Sequence, residues 1–279
     1  MSGTKTRISF EYFPPKTEAG RDKLLNVTTP ALNALGPEFF SVTYGAGGST
    51  RNSTANVVGT LHSGGIEAAP HLSFGGDNEA AIGQLLDDYK AQGISRLVAL
   101  RGDMPSGMGD MAQLVYANEL VEFVRRRTGD HFQIEVAAYP ETHPQAKSYQ
   151  KDIEFLKNKF TAGADSAITQ YFFNVDAYFY FLDQCTAIGI TKPIYAGIMP
   201  IINFANLARF SRNCGADIPR WIIQRIEGYG DDQDSIRKFG IEVVSQLCQT
   251  LLENGAPGIH FYTMNQVEPT RAIYNNLDL

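Results

Sequence analysis

The segment at residues 10–15 reads FEYFPP and sets one carboxylate, Glu11, among aromatic side chains where an apolar run ends at two prolines. A charge in such surroundings is costly unless it is paired or protonated. A carboxyl kept there is expected to have a raised pKa and a function that requires it. Glu11 is therefore the first candidate for a catalytic acid. The alternative is a glutamate that caps a loop or pairs with a lysine.

Short β-rich runs alternate with longer amphipathic stretches along the chain, a pattern that predicts parallel strands joined by crossover helices. Eight such units over 279 residues predict an α/β protein with a (β/α)8 TIM barrel fold and a single catalytic domain, 1–279. The predicted strands cover 8–13, 39–44, 67–74, 96–103, 133–140, 167–173, 193–199 and 258–264. The predicted helices include 78–92, 113–127, 148–161, 177–187 and 234–253.

An open, doubly wound sheet is the competing α/β architecture, and it usually carries a glycine-rich nucleotide fingerprint. The nearest segment, 45–50, reads GAGGST and lacks the third glycine. It is interpreted as a loop that follows a strand.

Polar residues close the predicted strands, and in a barrel of this kind the active site forms at the C-terminal strand ends. A barrel core needs none of these groups, so their convergence predicts a site for a large polar ligand. Taken singly, His71 or His143 is more often a structural histidine, and Asp103 could simply pair with Arg101. The set comprises Glu11, Thr43, Tyr44, His71, Arg101, Asp103, Tyr139, Glu141, His143, Gln170, Tyr262 and Asn265.

The composition narrows the classes of partner. The formal net charge is −6 and the basic residues are scattered, so the electrostatic footprint of a nucleic-acid-binding protein is missing. The N-terminus lacks a hydrophobic signal core, and no apolar run approaches the roughly 18 residues that span a bilayer. Three cysteines without paired spacing suit a reducing compartment. We expect a cytoplasmic protein with no membrane and no nucleic-acid partner.

The classes of catalysis are narrowed in the same way. The five histidines show neither metal-ligand spacing nor a carboxylate cluster, so no metal is expected. A serine nucleophile elbow is missing too. A barrel with a buried acid and an aromatic-rich rim is then expected to use an organic cofactor for the difficult step.

Seven motifs, in order along nearly the whole chain, resemble those of the methylenetetrahydrofolate reductase family. They are FEYFPP at 10–15, VTYG at 42–45, PHL at 70–72, ALRGD at 99–103, AYPETHP at 138–144, ITQYFF at 168–173 and HFYT at 260–263. The resemblance implies a flavoprotein barrel with FAD that reduces 5,10-methylenetetrahydrofolate to 5-methyltetrahydrofolate with NADH or NADPH by a ping-pong mechanism. That reaction serves one-carbon metabolism and methionine biosynthesis.

The resemblance also bears on the organisation of the protein. Larger members of the family add a regulatory domain that binds adenosylmethionine, and this chain resembles the short bacterial form without it. Self-association into a homo-oligomer is expected. The choice between NADH and NADPH stays open, because no Rossmann-type acid or arginine points to either.

Carried over by motif position, Glu11 and Asp103 are the implied catalytic residues. Glu11 matches the general acid that helps to open the five-membered imidazolidine ring of the folate, and Asp103 matches the aspartate beside the flavin and the pterin. The implied substrate-binding residues are Glu11, Asp103, Gln170, Phe204 and Tyr262.

The resemblance implies a FAD site built from the polar rim and one helix. Asp152 and Lys159 are seven residues apart on a predicted helix and therefore lie on the same helix face. Without the other motifs, this pair of charged residues would indicate a helix face exposed to solvent. Two departures put contacts in doubt: Phe155 where an asparagine is often found, and Gln266 where an arginine is common. The implied cofactor residues are Thr43, His71, Arg101, Gly102, Asp103, Tyr116, Ala117, Tyr139, His143, Asp152 and Lys159.

Two other functions are compatible with a folate-facing barrel. One is a flavin-free pterin-binding barrel that transfers a methyl group, and the other is a non-catalytic folate-binding or scaffold protein. A visible flavin spectrum separates the proposed reductase from the first, and the intact set of acidic and aromatic site residues argues against the second.

Overall fold

The computed structural model describes residues 6–45, 50–74, 78–101 and 116–279. Within these ranges eight parallel strands close a barrel in sequence order, which confirms the predicted (β/α)8 architecture. The strands are β1 (Arg7–Tyr12), β2 (Phe39–Val42), β3 (Ala68–Leu72), β4 (Arg96–Ala99), β5 (Gln133–Ala138), β6 (Ser166–Thr169), β7 (Ile194–Ile198) and β8 (Gly258–Tyr262).

Helices follow the strands and form the outer layer. A π-helical turn, Leu24–Thr28, joins the first two. None of the helices in the described ranges combines the length and the apolar character that crossing a bilayer requires. The helices are α1 (Glu18–Lys23), α2 (Thr29–Asn33), α3 (Arg51–Ser63), α4 (Glu79–Ala91), α5 (Ala117–Thr128), α6 (Tyr149–Thr161), α7 (Val175–Ala187), α8 (Phe204–Cys214), α9 (Arg220–Tyr229), α10 (Gln233–Glu253) and α11 (Glu268–Asn275).

The sixth strand is shorter than predicted, because the apolar run 171–173 does not continue the sheet. Gln170 N still donates to Ala138 O at 2.8 Å. Beyond it, Phe172 stacks on Tyr178 of α7 with ring centroids 5.4 Å apart. An apolar run that packs on the following helix looks like a strand extension in the sequence. The predicted end of the fourth strand, 102–103, and the predicted start of the fifth helix, 113–115, lie outside the described residues.

Alternation along the strands separates an outer core from the barrel interior, because successive strand side chains point to opposite faces. In β1, Phe10 and Tyr12 join the large hydrophobic core shared with the helices. Ser9 and Glu11 occupy the other face, inside the barrel. A second, small hydrophobic cluster fills part of that interior; it contains Phe39, Ala69, Val98 and Ile168.

The N-terminal end of the barrel is held by a buried ion network around Glu135, a fully buried residue of β5. Its Oε1 accepts from Arg7 Nη2 at 2.6 Å and from Arg96 Nη1 at 2.7 Å. Ser166 donates to the other carboxylate oxygen. Glu38 pairs with the same two arginines from a position that is 41% exposed. The network therefore joins strands β1, β4, β5 and β6 at the end of the barrel opposite to the strand C-termini.

Glu135→Gln is expected to lower the free energy of unfolding by about 3–5 kcal/mol, because the two buried guanidinium groups lose the fully buried carboxylate of the network and keep the partly solvated Glu38 as their countercharge. Glu38→Gln is the matched control: it contacts the same arginines but is partly solvated, so its loss should cost about 1 kcal/mol or less. Equilibrium denaturation in urea measures both. Equal losses for the two variants would contradict the interior role of Glu135.

Candidate active site

Glu11 lies near the end of β1, only 7% exposed, and its carboxyl group faces two histidines of the barrel interior. Its Oε2 is 3.4 Å from His71 Nε2 and 3.6 Å from His260 Nε2. Burial raises the pKa of Glu11 to about 7, and the nearby His71 opposes only part of that rise. The carboxyl group is therefore poised to hold or release a proton near neutral pH, which a general acid requires.

Both histidines are held neutral. Burial lowers the pKa of His71 to about 4, against the opposing effect of Glu11, and that of His260 to about 3. The positive charge of Arg7 lowers the pKa of His260 further. Of the three groups, Glu11 is therefore the one whose proton titrates near neutral pH.

The end of β1 is fixed to the loop after β8. Thr263 Oγ1 donates to Glu11 O at 2.6 Å. Asn265 accepts from Phe13 N at 2.9 Å and donates to Phe13 O at 2.8 Å. To make these contacts Asn265 adopts a φ of 57°, in the left-handed region. Asn265, predicted as part of the polar rim, therefore anchors the backbone beside Glu11.

Tyr262 lies beside Glu11, since the two residues are register partners on β8 and β1. Its hydroxyl donates to Thr169 O at 2.6 Å, and its ring stands edge-on to His260 at 5.4 Å. Burial raises the pKa of Tyr262 well above its ordinary value, so the phenol stays protonated. The barrel therefore brings one of the predicted substrate residues directly to the acid.

The other two described substrate candidates follow neighbouring strands. Gln170 comes directly after β6, and its Oε1 accepts from Tyr171 N at 3.0 Å; within the described ranges its amide N–H donors are not engaged by this contact. Phe204 is the first residue of α8, and its half-buried ring packs against the outer core. Asp103 and Gly102 lie outside the described residues.

The predicted cofactor residues of β4, β5 and α6 form one connected polar group. Arg101 donates to the side chain of Gln145. Gln145 N donates to His143 Nδ1 at 3.0 Å, and His143 N donates to Asp152 Oδ2 at 2.7 Å. The rings of Tyr139 and His143 meet edge to face at 4.6 Å. Residues that are distant in sequence thus converge beside the mouth of the barrel.

Lys159 belongs to the same group and does not lie on a solvated helix face. Its Nζ donates to Ala137 O at 2.5 Å. Burial lowers the pKa of Lys159 to about 8, with Asp152 opposing this change and Arg101 adding to it. The three charges are therefore close enough to influence one another, and the positive sign prevails, which suits a phosphate-bearing ligand.

An aromatic pair borders this polar group. Tyr116 precedes α5 and is 52% exposed; Phe155 of α6 is 46% exposed. Their rings are near parallel, at 15°, with centroids 6.4 Å apart. Phe155 follows Asp152 by three residues and precedes Lys159 by four, so all three share one helix face. Exposed aromatic faces beside a cationic group can stack a planar heterocycle. Ala117 is the first residue of α5, directly beside this pair.

Two further rim candidates have structural partners. Thr43 follows β2; its N donates to Tyr12 O at 2.9 Å and its carbonyl accepts from Thr54 Oγ1 at 2.8 Å, while its own side chain stays partly exposed. Glu141 accepts from Asp217 N at 2.9 Å, and burial raises its pKa. The carboxylate of Glu141 therefore holds a loop.

Sequence reasoning missed Ser9 and His260 as site residues, having weighed His260 only as a metal ligand. Ser9 Oγ lies 2.7 Å from His260 Nδ1, and the two residues are register partners on β1 and β8. The available signal was the alternation itself, since Ser9 precedes Glu11 and His260 precedes Tyr262 by two residues. Among the described residues there is no cluster of histidine, cysteine and carboxylate side chains that could hold a metal.

Glu11→Gln is expected to stabilise the folded protein increasingly as pH rises from 5 to 8. The pKa of Glu11 rises from 4.5 in the unfolded chain to about 7 on folding, so stability that is fully present below pH 4.5 is lost as pH rises through 7. The difference amounts to at most about 3 kcal/mol. Thermal unfolding of both proteins across this range measures it. A pH-independent difference in Tm would show that Glu11 is not buried as an acid.

Comparison with known proteins identifies relatives along nearly the whole chain. A family model described as methylenetetrahydrofolate reductase matches residues 1–278. The 5,10-methylenetetrahydrofolate reductase of Escherichia coli (strain K12) is 39% identical over 271 residues, covering 97% of this chain and 90% of that protein. The protein of the same name from Pectobacterium carotovorum is 39% identical over 276 residues, covering 98% and 90%. A probable methylenetetrahydrofolate reductase (NADH) from Oryza sativa subsp. japonica is 37% identical over 289 residues, covering 99% of this chain and 48% of that protein.

Solved structures share the barrel at low sequence identity. An uncharacterised Clostridium thermocellum protein that binds two copies of 5-methyl-5,6,7,8-tetrahydrofolic acid superposes with a TM-score of 0.71 at 18% identity, covering 98% of this chain and 94% of that one. The deoxyribose phosphate aldolase of Aeropyrum pernix gives a TM-score of 0.50 at 13% identity, covering 96% and 88%. At these identities the likeness establishes the fold alone.

Proposed function

The chain belongs to the methylenetetrahydrofolate reductase family, and on that premise we propose that it reduces 5,10-methylenetetrahydrofolate to 5-methyltetrahydrofolate with FAD and NADH. The observation that carries the proposal is Glu11, a buried carboxyl group flanked by two neutral histidines. Opening the folate ring requires a proton donor that remains protonated near neutral pH. The raised pKa of Glu11 meets that requirement.

The described residues fit FAD in their chemistry. Lys159, with Arg101 nearby, supplies positive charge for a pyrophosphate; Asp152 favours the charged form of Lys159, and the hydrogen bond to Ala137 O orients its ammonium group. Tyr116 and Phe155 offer exposed ring faces for an adenine. Asp103 is proposed to lie beside the flavin and to hold an amino group of the pterin. Bound FAD would supply the two-electron carrier between the nicotinamide and the folate.

The residues of the chain perform the acid step. Glu11 donates its proton to the ring nitrogen of the folate that leaves its bridging carbon, and the resulting iminium accepts hydride. Tyr262, Gln170 and Phe204 are proposed to orient the pterin: the first two offer hydrogen-bonding groups and Phe204 a ring face. Since nicotinamide and pterin are both planar and would use the same stacking face, they exclude each other, and the two half-reactions alternate in a ping-pong cycle.

NADH is proposed as the donor because plant relatives carry it in their names. The rice relative and the 36% identical maize relative are named as NADH-dependent reductases, and this chain aligns with about half the length of each. The sequence alone left the choice between NADH and NADPH open.

The decisive experiment separates the two half-reactions. The purified protein should be yellow, and in anaerobic stopped-flow NADH should reduce its flavin faster than NADPH does. Glu11→Gln should leave this reduction within about twofold of wild type while slowing reoxidation by methylenetetrahydrofolate by about 100-fold or more, the range for loss of a general acid. Equal losses in both half-reactions would reject the role of Glu11. A folded, colourless protein that does not respond to NADH would favour the flavin-free alternatives.

Phe155→Ala is expected to weaken FAD binding by about 2–10-fold, the contribution of one aromatic stacking contact. Tyr180→Ala is the matched control, since Tyr180 is also an exposed aromatic stacked on a neighbour, Tyr149 of α6, with ring centroids 5.7 Å apart. FAD fluorescence on reconstitution of the apoprotein gives the dissociation constants. A similar loss in both variants, or none in Phe155→Ala, would remove Phe155 from the cofactor site.

A further inference from the structure

Two buried nitrogen atoms beside Glu11 lack a hydrogen-bond partner within normal distance. They are His71 Nε2 and His260 Nε2, and both lie nearest to the same oxygen of Glu11, Oε2, at 3.4 and 3.6 Å. Buried polar atoms are rarely left unpaired, and such exceptions call for a functional explanation. The second oxygen, Oε1, has no such neighbour at hydrogen-bonding distance in the described ranges.

The Ser9 hydroxyl contacts His260 Nδ1 and can donate or accept there, according to the tautomer of the imidazole. A neutral imidazole has one N–H donor and one acceptor nitrogen, and its tautomer is set by the partner of the other nitrogen. Once Glu11 is ionised it can only accept, so His260 must then donate from Nε2. That leaves Nδ1 as an acceptor, and the Ser9 hydroxyl, 2.7 Å away, can donate to it. The positive charge of Arg7 disfavours a doubly protonated ring.

We propose that the Ser9 hydroxyl fixes His260 as the Nε2–H tautomer, and that His260 thereby keeps the proton of Glu11 on Oε1, available to the substrate. His260 is a positioning residue in this arrangement. With the opposite tautomer, Glu11 would donate from Oε2 into the imidazole and its proton would be turned away from the folate. This inference rests on the proposed function, because it assigns a role within the acid step.

The arrangement favours the transition state over the ground state. As the proton moves from Oε1 to the leaving ring nitrogen, the carbon–nitrogen bond breaks with its electron pair on that nitrogen, and Glu11 becomes a carboxylate. The long contacts to Oε2 then become charge-assisted hydrogen bonds, which are shorter and stronger. Donors that are already oriented need no reorganisation when the charge develops. The titratable groups that face Glu11 are His71 of β3 and two residues of β8, His260 and Tyr262. Arg7 and Glu135, nearer the N-terminal end of the barrel, act electrostatically on His260.

The test reads the tautomer directly. The holoenzyme is labelled with 15N-histidine. The ring-nitrogen resonances of His260 are assigned as those that disappear in His260→Gln. Wild-type His260 should be neutral and protonated at Nε2. Ser9→Ala should convert it to a tautomer mixture and slow flavin reoxidation by methylenetetrahydrofolate about tenfold, as expected for a hydrogen bond to a charged group. Ser9→Thr, which retains the hydroxyl, should restore both. Ser41→Ala, which removes another buried serine hydroxyl of the barrel interior, should leave the tautomer unchanged.

A wild-type His260 protonated at Nδ1, or charged at neutral pH, overturns the inference even if Ser9→Ala fails to fold. So does a Ser9→Ala protein in which only the tautomer or only the folate rate changes. The proposed function fails separately, if the wild-type flavin is not reduced by NADH or not reoxidised by methylenetetrahydrofolate.

Discussion

The burial of one carboxyl group inside the barrel is the constraint on which the site depends. Glu11 is removed from water, yet among the residues that the structure describes no permanent cation faces it; its neighbours are two imidazoles held neutral by the same burial. Had a lysine or arginine stood at His71 or His260, the pKa of Glu11 would fall and the acid would be ionised at neutral pH. Neutral neighbours allow the carboxyl group to stay protonated, yet they can donate to it once it has lost its proton.

The two ends of the barrel interior differ in the kind of charged group they contain. At the N-terminal end Glu135 is paired with Arg7 and Arg96, a permanently ionic arrangement that joins four strands. At the C-terminal end, the group that gains or loses a charge near neutral pH is the buried carboxyl group of Glu11. Arg7 connects the two, because its charge also acts on His260 one layer above. A network that contributes to stability therefore also helps to set the protonation state of the site.

The side proposed to hold the cofactor is organised on a different principle. Arg101, His143, Asp152 and Lys159 are linked through hydrogen bonds and mutual electrostatic influence beside the mouth of the barrel. Phe155 lies on the same face of α6 and stacks on Tyr116. An exposed aromatic surface of this kind can stack a planar group.

The sequence by itself determined the fold class, the position of most strands to within a few residues, and the candidacy of Glu11, because alternation, helical periodicity and an isolated charge in an apolar run are local signals. It also placed Tyr262 and the other polar rim residues at strand ends, and Asp152 and Lys159 on one helix face. It could not show that the run after Gln170 packs on α7, that Asn265 and Glu141 serve the backbone, or that Ser9 and His260 meet. Those relations join residues up to 252 positions apart, as between Asn265 and Phe13. Only closure of the barrel, which places β8 beside β1 in a defined register, decides which side chains share its interior.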